Sequence, residues 1–327
     1  MIRIGLAALL LVTLPAFAAP VEELRLEAEY PVADMPVGNL SGLAWCGDAL
    51  WAVSDRDDDR LYRLRMAGDR LVAEAEVFTA PPPDDSRLPW GIRTRNWVAA
   101  QVRGGALDFE GLSCDAEGNR YLVSEAQVGV LRLPAATSQG EWLVLPAGLL
   151  RQARASGMLL KFNALLEGIA VSPDASRLWL AAERERRGLL ALQREQNQWL
   201  CAASCVLFSE GGKQAPPPQL DVAEQPRDFS DLVFFAERLF TLERQGYRIC
   251  RRDPADGAVE RCWSFAEEAL QEPRRYGRQA FGRAEGLELD EQGAWIGLDT
   301  GGKVRNDGET RPIVWRFAAP AGGWSAP

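Results

Sequence analysis

Short apolar runs separated by turn residues recur along most of the chain, and in most cases two such runs are followed by a third segment that alternates apolar with polar positions. Leu, Val, Trp, Phe and Tyr dominate these runs, which predicts short β-strands. Helical periodicity is confined to "GLLRQARASGMLL" (148–160) and "FAEEALQE" (265–272). The runs also repeat as a group. Stretches beginning at Asn39, Asp108, Ala164, Asp228 and Arg283 each hold a strand that follows a small or acidic residue, a turn, and a second strand that ends in an acid. Ser41 precedes Asp55 by 14 residues, Glu110 precedes Glu125 by 15 and Glu167 precedes Glu183 by 16; Ser230 precedes Glu243 by 13 and Glu285 precedes Asp299 by 14.

Antiparallel units repeated every 55 to 69 residues predict an all-β fold, a β-propeller of four-stranded blades. Five units are clear. A sixth also fits the length if the N-terminal strand and "RNWVAAQV" (95–102) are strands. A β-sandwich is the alternative, but it needs no repeated motif. The Pro-rich stretches at 79–85 and 214–219 read as loops between blades, so residues 19–327 are expected to form one domain.

Residues 1–18 change the picture at one end. Arg3 precedes an apolar run from Ile4 to Leu14, and Ala16-Phe17-Ala18 is a small-x-small cleavage site, which together predict a signal peptide. The run is too short to span a bilayer, and no later stretch is long enough to do so. The expected location is the periplasm or the exterior. There the six cysteines can pair. Cys250 and Cys262 flank a hairpin, Cys201 and Cys205 can close a tight loop, and Cys46 and Cys114 occupy equivalent places in two repeats. Buried free thiols are the alternative for each pair.

Composition narrows the chemistry. Net charge is −9, which counts against nucleic acid and anionic membranes as partners. Histidine is absent, which removes Ser-His-Asp and Cys-His catalysis and His-ligated zinc. Carboxylates, arginines, hydroxyls and a hard metal ion remain. In a propeller the first strand of each blade lines the central channel, so Glu110, Glu167 and Glu285 are expected to point at the axis. Asp55, Glu125, Glu183, Glu243 and Asp299 should form a wider ring at the same mouth. Two unit charges 4 Å apart repel by roughly 4 kcal/mol at an effective dielectric of 20. Converging carboxylates must therefore protonate, pair with arginine or bind a cation. An all-oxygen set of Glu110, Glu167, Glu285, Asp55 and Asp299 suits Ca²⁺ first, and Mg²⁺ or Mn²⁺ after it. The alternative role for each Glu is structural, accepting backbone N–H bonds from the next blade. In "DRDDDR" (55–60) only Asp55 is expected to point inward, the rest forming a solvated turn.

Asp108-x-Glu110-Gly111-Leu112, Asn163-x-x-x-Glu167-Gly168-Ile169 with Ser172-Pro173-Asp174, and Glu285-Gly286-Leu287 resemble the phytase-like family described as "esterase-like activity of phytase". The early Ser54-Asp55-Arg56-Asp57 and Thr241-Leu242-Glu243-Arg244 fit it as well. The resemblance covers essentially the whole chain after residue 18. It implies an exported propeller that hydrolyses a small-molecule phosphate or carboxylate ester. In such a site Glu125 or Glu183 would take a proton from water. Arg93, Arg95 and Arg103, which precede the second repeat, would hold an anionic substrate. For Arg184 and Arg244, each directly after a ring acid, a salt bridge to that acid is the stronger reading. Only three lysines are present, too few for a phytate-binding surface. A lactonase-like propeller and a non-catalytic ligand-binding propeller are the competing functions; oligomeric state is not readable.

Overall fold

The computed structural model describes residues 21–35, 39–83, 88–278 and 281–326; the segment 1–18, expected to be a signal peptide, lies outside them. The repeats fold into antiparallel sheets, five units among the described residues. Their innermost strands are Gly42–Cys46, Phe109–Cys114, Leu166–Val171, Asp231–Phe235 and Ala284–Asp290. Each touches the next in cyclic order, and the fifth touches the first. The architecture is a β-propeller.

The N-terminal strand, Leu26–Ala33, closes the ring. It pairs antiparallel with Ile313–Ala318 as the outermost strand of the fifth unit, and its last residues pair parallel with Arg70–Val77 of the first. It therefore belongs to no sixth unit. The stretch 95–102 is not a strand either; it lies in a helix, Trp90–Arg103, that the apolar pattern does not reveal. Two other signals mark that helix. Pro89 stands just before its first turn and Gly104-Gly105 just after its last, the usual start and stop residues. The two expected helical inserts are present as Leu149–Ala155 and Ala266–Ala269.

Each space between neighbouring units holds its own apolar cluster, five in all. Middle strands are thus buried on both faces, which is why they read as nearly continuous apolar runs. In Arg177–Ala182, Leu178, Leu180 and Ala182 face the second unit, while Trp179 and Ala181 face the fourth. Three disulfides, Cys46–Cys114, Cys201–Cys205 and Cys250–Cys262, match the three pairs the sequence offers. Cys46–Cys114 ties the ends of the first two inner strands, away from the acids. Closing its 68-residue separation removes about 4 kcal/mol of unfolded-chain entropy.

Around the channel the inner strands approach so closely that a side chain does not fit. A Cβ on Gly111 would lie 2.7 Å from the Glu167 carbonyl oxygen, and one on Gly168 would lie 2.8 Å from the Asp231 carbonyl carbon. The glycine of the Glu-Gly-Leu motif is a packing requirement of ring closure. Gly168→Ala is expected to cost roughly 1–3 kcal/mol in denaturant unfolding. Gly91→Ala, in the helix with no atom within 4 Å of the added methyl, should be neutral or slightly stabilising. Equal midpoints for the two variants would contradict the close approach.

Candidate active site at the channel mouth

The Glu of each Glu-Gly-Leu is an extra residue in its ladder. Pairing with the second strand skips from Phe109 to Gly111, from Leu166 to Gly168, and from Ala284 to Gly286. Glu110, Glu167 and Glu285 are thus the bulged residues, and a bulge re-aims its side chain. Asp108 and Asn163 just upstream adopt left-handed backbone conformations, φ 55° and 56°, which turn the chain into two of these bulges. The first and fourth units, with Ser41-Gly42 and Ser230-Asp231, have regular ladders and no Glu.

Three bulged glutamates and the acids ending the second strands meet at one mouth. Carboxylate oxygens of Asp55, Asp108 and Glu110 lie within 4.8 Å of one another, and those of Glu125, Glu167 and Glu183 form a second such group. Glu285 stands beside Asp299 and near both groups. The expected ligand set is therefore divided. Glu110 groups with Asp55, Glu167 groups with Glu125 and Glu183, and Glu285 is ion-paired with Arg244.

Arg244 is the main cation of the site. Buried, it donates to Asp228 at 3.0 Å, to Glu183 at 2.5 Å and to Glu285. It does not pair with Glu243, the acid beside it in sequence. Arg184 pairs with its own neighbour, Glu183, and Arg56 with Asp55 at 3.2 Å. Glu243 leaves the ring altogether: its buried carboxylate binds Arg187, Arg248 and Arg252. Burial pushes its pKa up, but the three guanidinium groups outweigh that and hold it below the ordinary value.

At the mouth Arg56 pairs with Asp55, Arg184 with Glu183, and Arg244 with Glu183, Asp228 and Glu285. Burial, followed by repulsion from Asp108 and Asp55, raises Glu110 well above the usual carboxylate range. Burial and then Glu183 do the same for Glu167. Glu285 is pushed by burial to about 8 despite Arg244, and Asp55 to about 6 despite Arg56. Burial also raises Glu183 against its two arginines. Buried oxygens of Asp55, Glu183 and Glu285 accept no hydrogen bond. Orphaned oxygens and an all-carboxylate donor set fit a hard divalent cation.

Arg93 and Arg95 are exposed on the helix Trp90–Arg103, with Arg103 its last residue. In the "DRDDDR" turn, Asp58 accepts the backbone N–H groups of Ala106 and Leu107, and Asp57 accepts the Tyr62 hydroxyl. Those two acids anchor the helix connection and the strand; they are not merely solvated. Sequence reasoning assigned no role to Asp108, Asp228 or Asp231. All three are buried and adjoin the repeated motif, a signal that was present in the repeat alignment. Asp231 takes the place of the motif glycine and accepts the Leu287 N–H of the next inner strand at 2.7 Å. It fills the structural role weighed for the glutamates.

Fold and site together define a propeller with an acid-lined channel mouth. The profile of the phytase-like family, described as "esterase-like activity of phytase", matches residues 35–246, and the chain belongs to that family. No curated protein matches. Among solved structures, the Myxococcus xanthus glutaminyl cyclase is 13% identical, covering 91% of this chain and 97% of its own, with a TM-score of 0.50. A gluconolactonase from Xanthomonas campestris is 12% identical, covering 93% and 99%, with a TM-score of 0.40. The first likeness supports the fold.

Two measurements test the electrostatics. A carboxyl with a raised folded pKa binds more protons folded than unfolded, so stability falls as pH rises from its unfolded value through its folded one. With Glu285 at about 8 and Asp55 at about 6, chelator-treated protein should lose melting temperature between about pH 4.5 and pH 8; a melting temperature rising across that window would refute it. Arg244→Gln leaves Asp228, Glu183 and Glu285 uncompensated and should cost about 3–5 kcal/mol in unfolding. Arg95→Gln on the surface should change stability by less than about 0.5 kcal/mol.

Proposed function

We propose that this protein is an exported hydrolase of a small-molecule phosphate or carboxylate ester, dependent on a divalent cation, with its chemistry at the channel mouth. The convergence of Glu125, Glu167 and Glu183 beside Asp55, Asp108 and Glu110, with buried oxygens of Asp55 and Glu183 that accept no hydrogen bond, carries this reading. Export rests on the N-terminal sequence and on three disulfides, which belong to oxidising compartments.

Either carboxylate group would hold Ca²⁺, or Mg²⁺ or Mn²⁺ with lower preference; Glu285 and Asp299 adjoin them. A bound ion supplies Lewis-acid polarisation of an ester oxygen and acidifies a coordinated water. The chain's own groups do the rest. Glu183 is oriented by Arg184 and Arg244, and Glu125 by the Leu165 N–H at 3.0 Å. Held in place, each is a candidate base to take a proton from water. Burial raises Glu183 above the usual carboxylate value, which makes it a stronger base and suits that task. Burial and the neighbouring acids raise Glu110 and Glu167, which makes each a candidate to donate a proton to a leaving group. Arg93 and Arg95, exposed on the helix Trp90–Arg103, are candidates to meet an anionic substrate.

The purified protein should hydrolyse p-nitrophenyl esters or phosphates, lose that activity with chelator and regain it with Ca²⁺. Glu183→Gln should lower kcat by about 10²–10⁴-fold with the fold retained. Absent turnover on both series and on a lactone panel, with Glu167→Gln changing only the melting temperature, would leave a ligand-binding propeller.

A further inference from the structure

The charge of −9 is unevenly spread. Between Asp85 and Asp108 the chain has no acidic residue, and none between Glu141 and Glu167. These stretches make up most of the connections from the first unit to the second and from the second to the third. In this topology every outermost strand returns to the end where the inner strands begin, so both connections lie on the mouth face. The described contacts agree. Asn96 donates to the carbonyl of Ala126, next to Glu125, and Lys161 pairs with Glu185, two residues beyond Glu183. Leu88 and Ile92 of one connection and Leu149, Ala153 and Leu159 of the other pack into one cluster. The second unit is thus capped on its mouth side by an acid-free sector.

The outer surface of that cap is apolar. Trp90 is 80% exposed, Trp97 65%, Val102 84%, and Val98 and Leu160 about half. At 3.6 residues per turn, positions 90, 94, 97 and 101 form a ridge opposite the side that docks through Ile92 and Asn96. Arg93 and Arg95 flank this ridge on either side, and Arg151 is exposed on the neighbouring helix. Two exposed tryptophans on a ridge edged by arginines form the layout of a helix that lies in a membrane interface, its rings at headgroup depth. Distant acids do not oppose contact, because charges beyond about 8 Å are largely screened at physiological ionic strength.

We infer that this sector seats the protein on an anionic lipid bilayer, with Trp90, Trp97, Val98, Val102 and Leu160 entering the interface and Arg93, Arg95 and Arg151 meeting lipid phosphates. The channel mouth then opens beside the membrane surface. No helix among the described residues is long and apolar enough to cross a bilayer, so the contact is peripheral.

Cosedimentation of the purified protein with vesicles of equal phosphatidylglycerol and phosphatidylcholine, compared with phosphatidylcholine alone, tests this. The expected result is binding to the anionic vesicles that weakens in 0.5 M salt. At roughly fivefold per cation, Arg95→Glu with Arg151→Glu should lower partitioning by roughly 25-fold or more. Trp90→Ser with Trp97→Ser should abolish it, whereas Val259→Ser, exposed on an outer strand elsewhere, should leave it intact. All these side chains are exposed, and circular dichroism confirms the fold of each variant. No preference for anionic vesicles, or binding that survives the tryptophan variants, overturns the inference. A dimer in gel filtration that the same substitutions dissociate would assign the surface to self-association and overturn it too. The readout needs no turnover, so its outcome is independent of the hydrolase reading.

Discussion

Ring closure at the channel is the constraint from which the rest follows. Five inner strands lean on one another so closely that glycine stands where a Cβ would strike the neighbouring backbone at Gly42, Gly111, Gly168 and Gly286. Strands this close expose edge N–H groups that side chains must satisfy, because an unpaired buried donor is costly. Asp231 accepts from Leu287, Glu288 from Trp45 at 2.8 Å, and Ser113 from Val171 at 3.0 Å. These three stitch the ring. Glu110 and Glu167, displaced by bulges, take no part in the stitching and are left for other work.

The same closure creates the electrostatic problem. Repeats far apart in sequence bring their acids to one axis, and protein packed around them strips away water. Arg244 answers part of it by joining the third, fourth and fifth units through Glu183, Asp228 and Glu285. What remains is a mouth that holds protons or a cation. The acids separate here on a physical criterion. Glu243, surrounded by three arginines, is held below its ordinary pKa; Glu110 and Glu167, surrounded by acids, are held well above it.

The propeller's pseudo-symmetry is broken by its connections. Two neighbouring connections carry helices and are free of acids over residues 86–107 and 142–166, so one side of the mouth differs in charge and polarity from the rest. That asymmetry gives an approaching ligand or surface a direction which the repeated sheets do not supply.

Much of this was legible from residues alone. The repeat, the all-β class and three cysteine pairs followed from spacing and alternation, which local chemistry sets. The site was half legible: repetition said that carboxylates converge, because like positions in like units share an axis. Partners were not. Whether Arg244 binds Glu243 beside it or Glu285 forty-one residues away depends on which face of the strand each occupies, and only the folded ring decides that. The division of the acids into two groups depends on bulges, which add one residue without changing composition. The helix Trp90–Arg103 was missed because its apolar residues fall on both the docked side, at Ile92, and the exposed side, at Trp90, Trp97 and Val102, so no single-face period marks it. Sequence determined what must come together; tertiary structure determined which group neutralises which, since charge pairing is a matter of ångströms and faces, not of order along the chain.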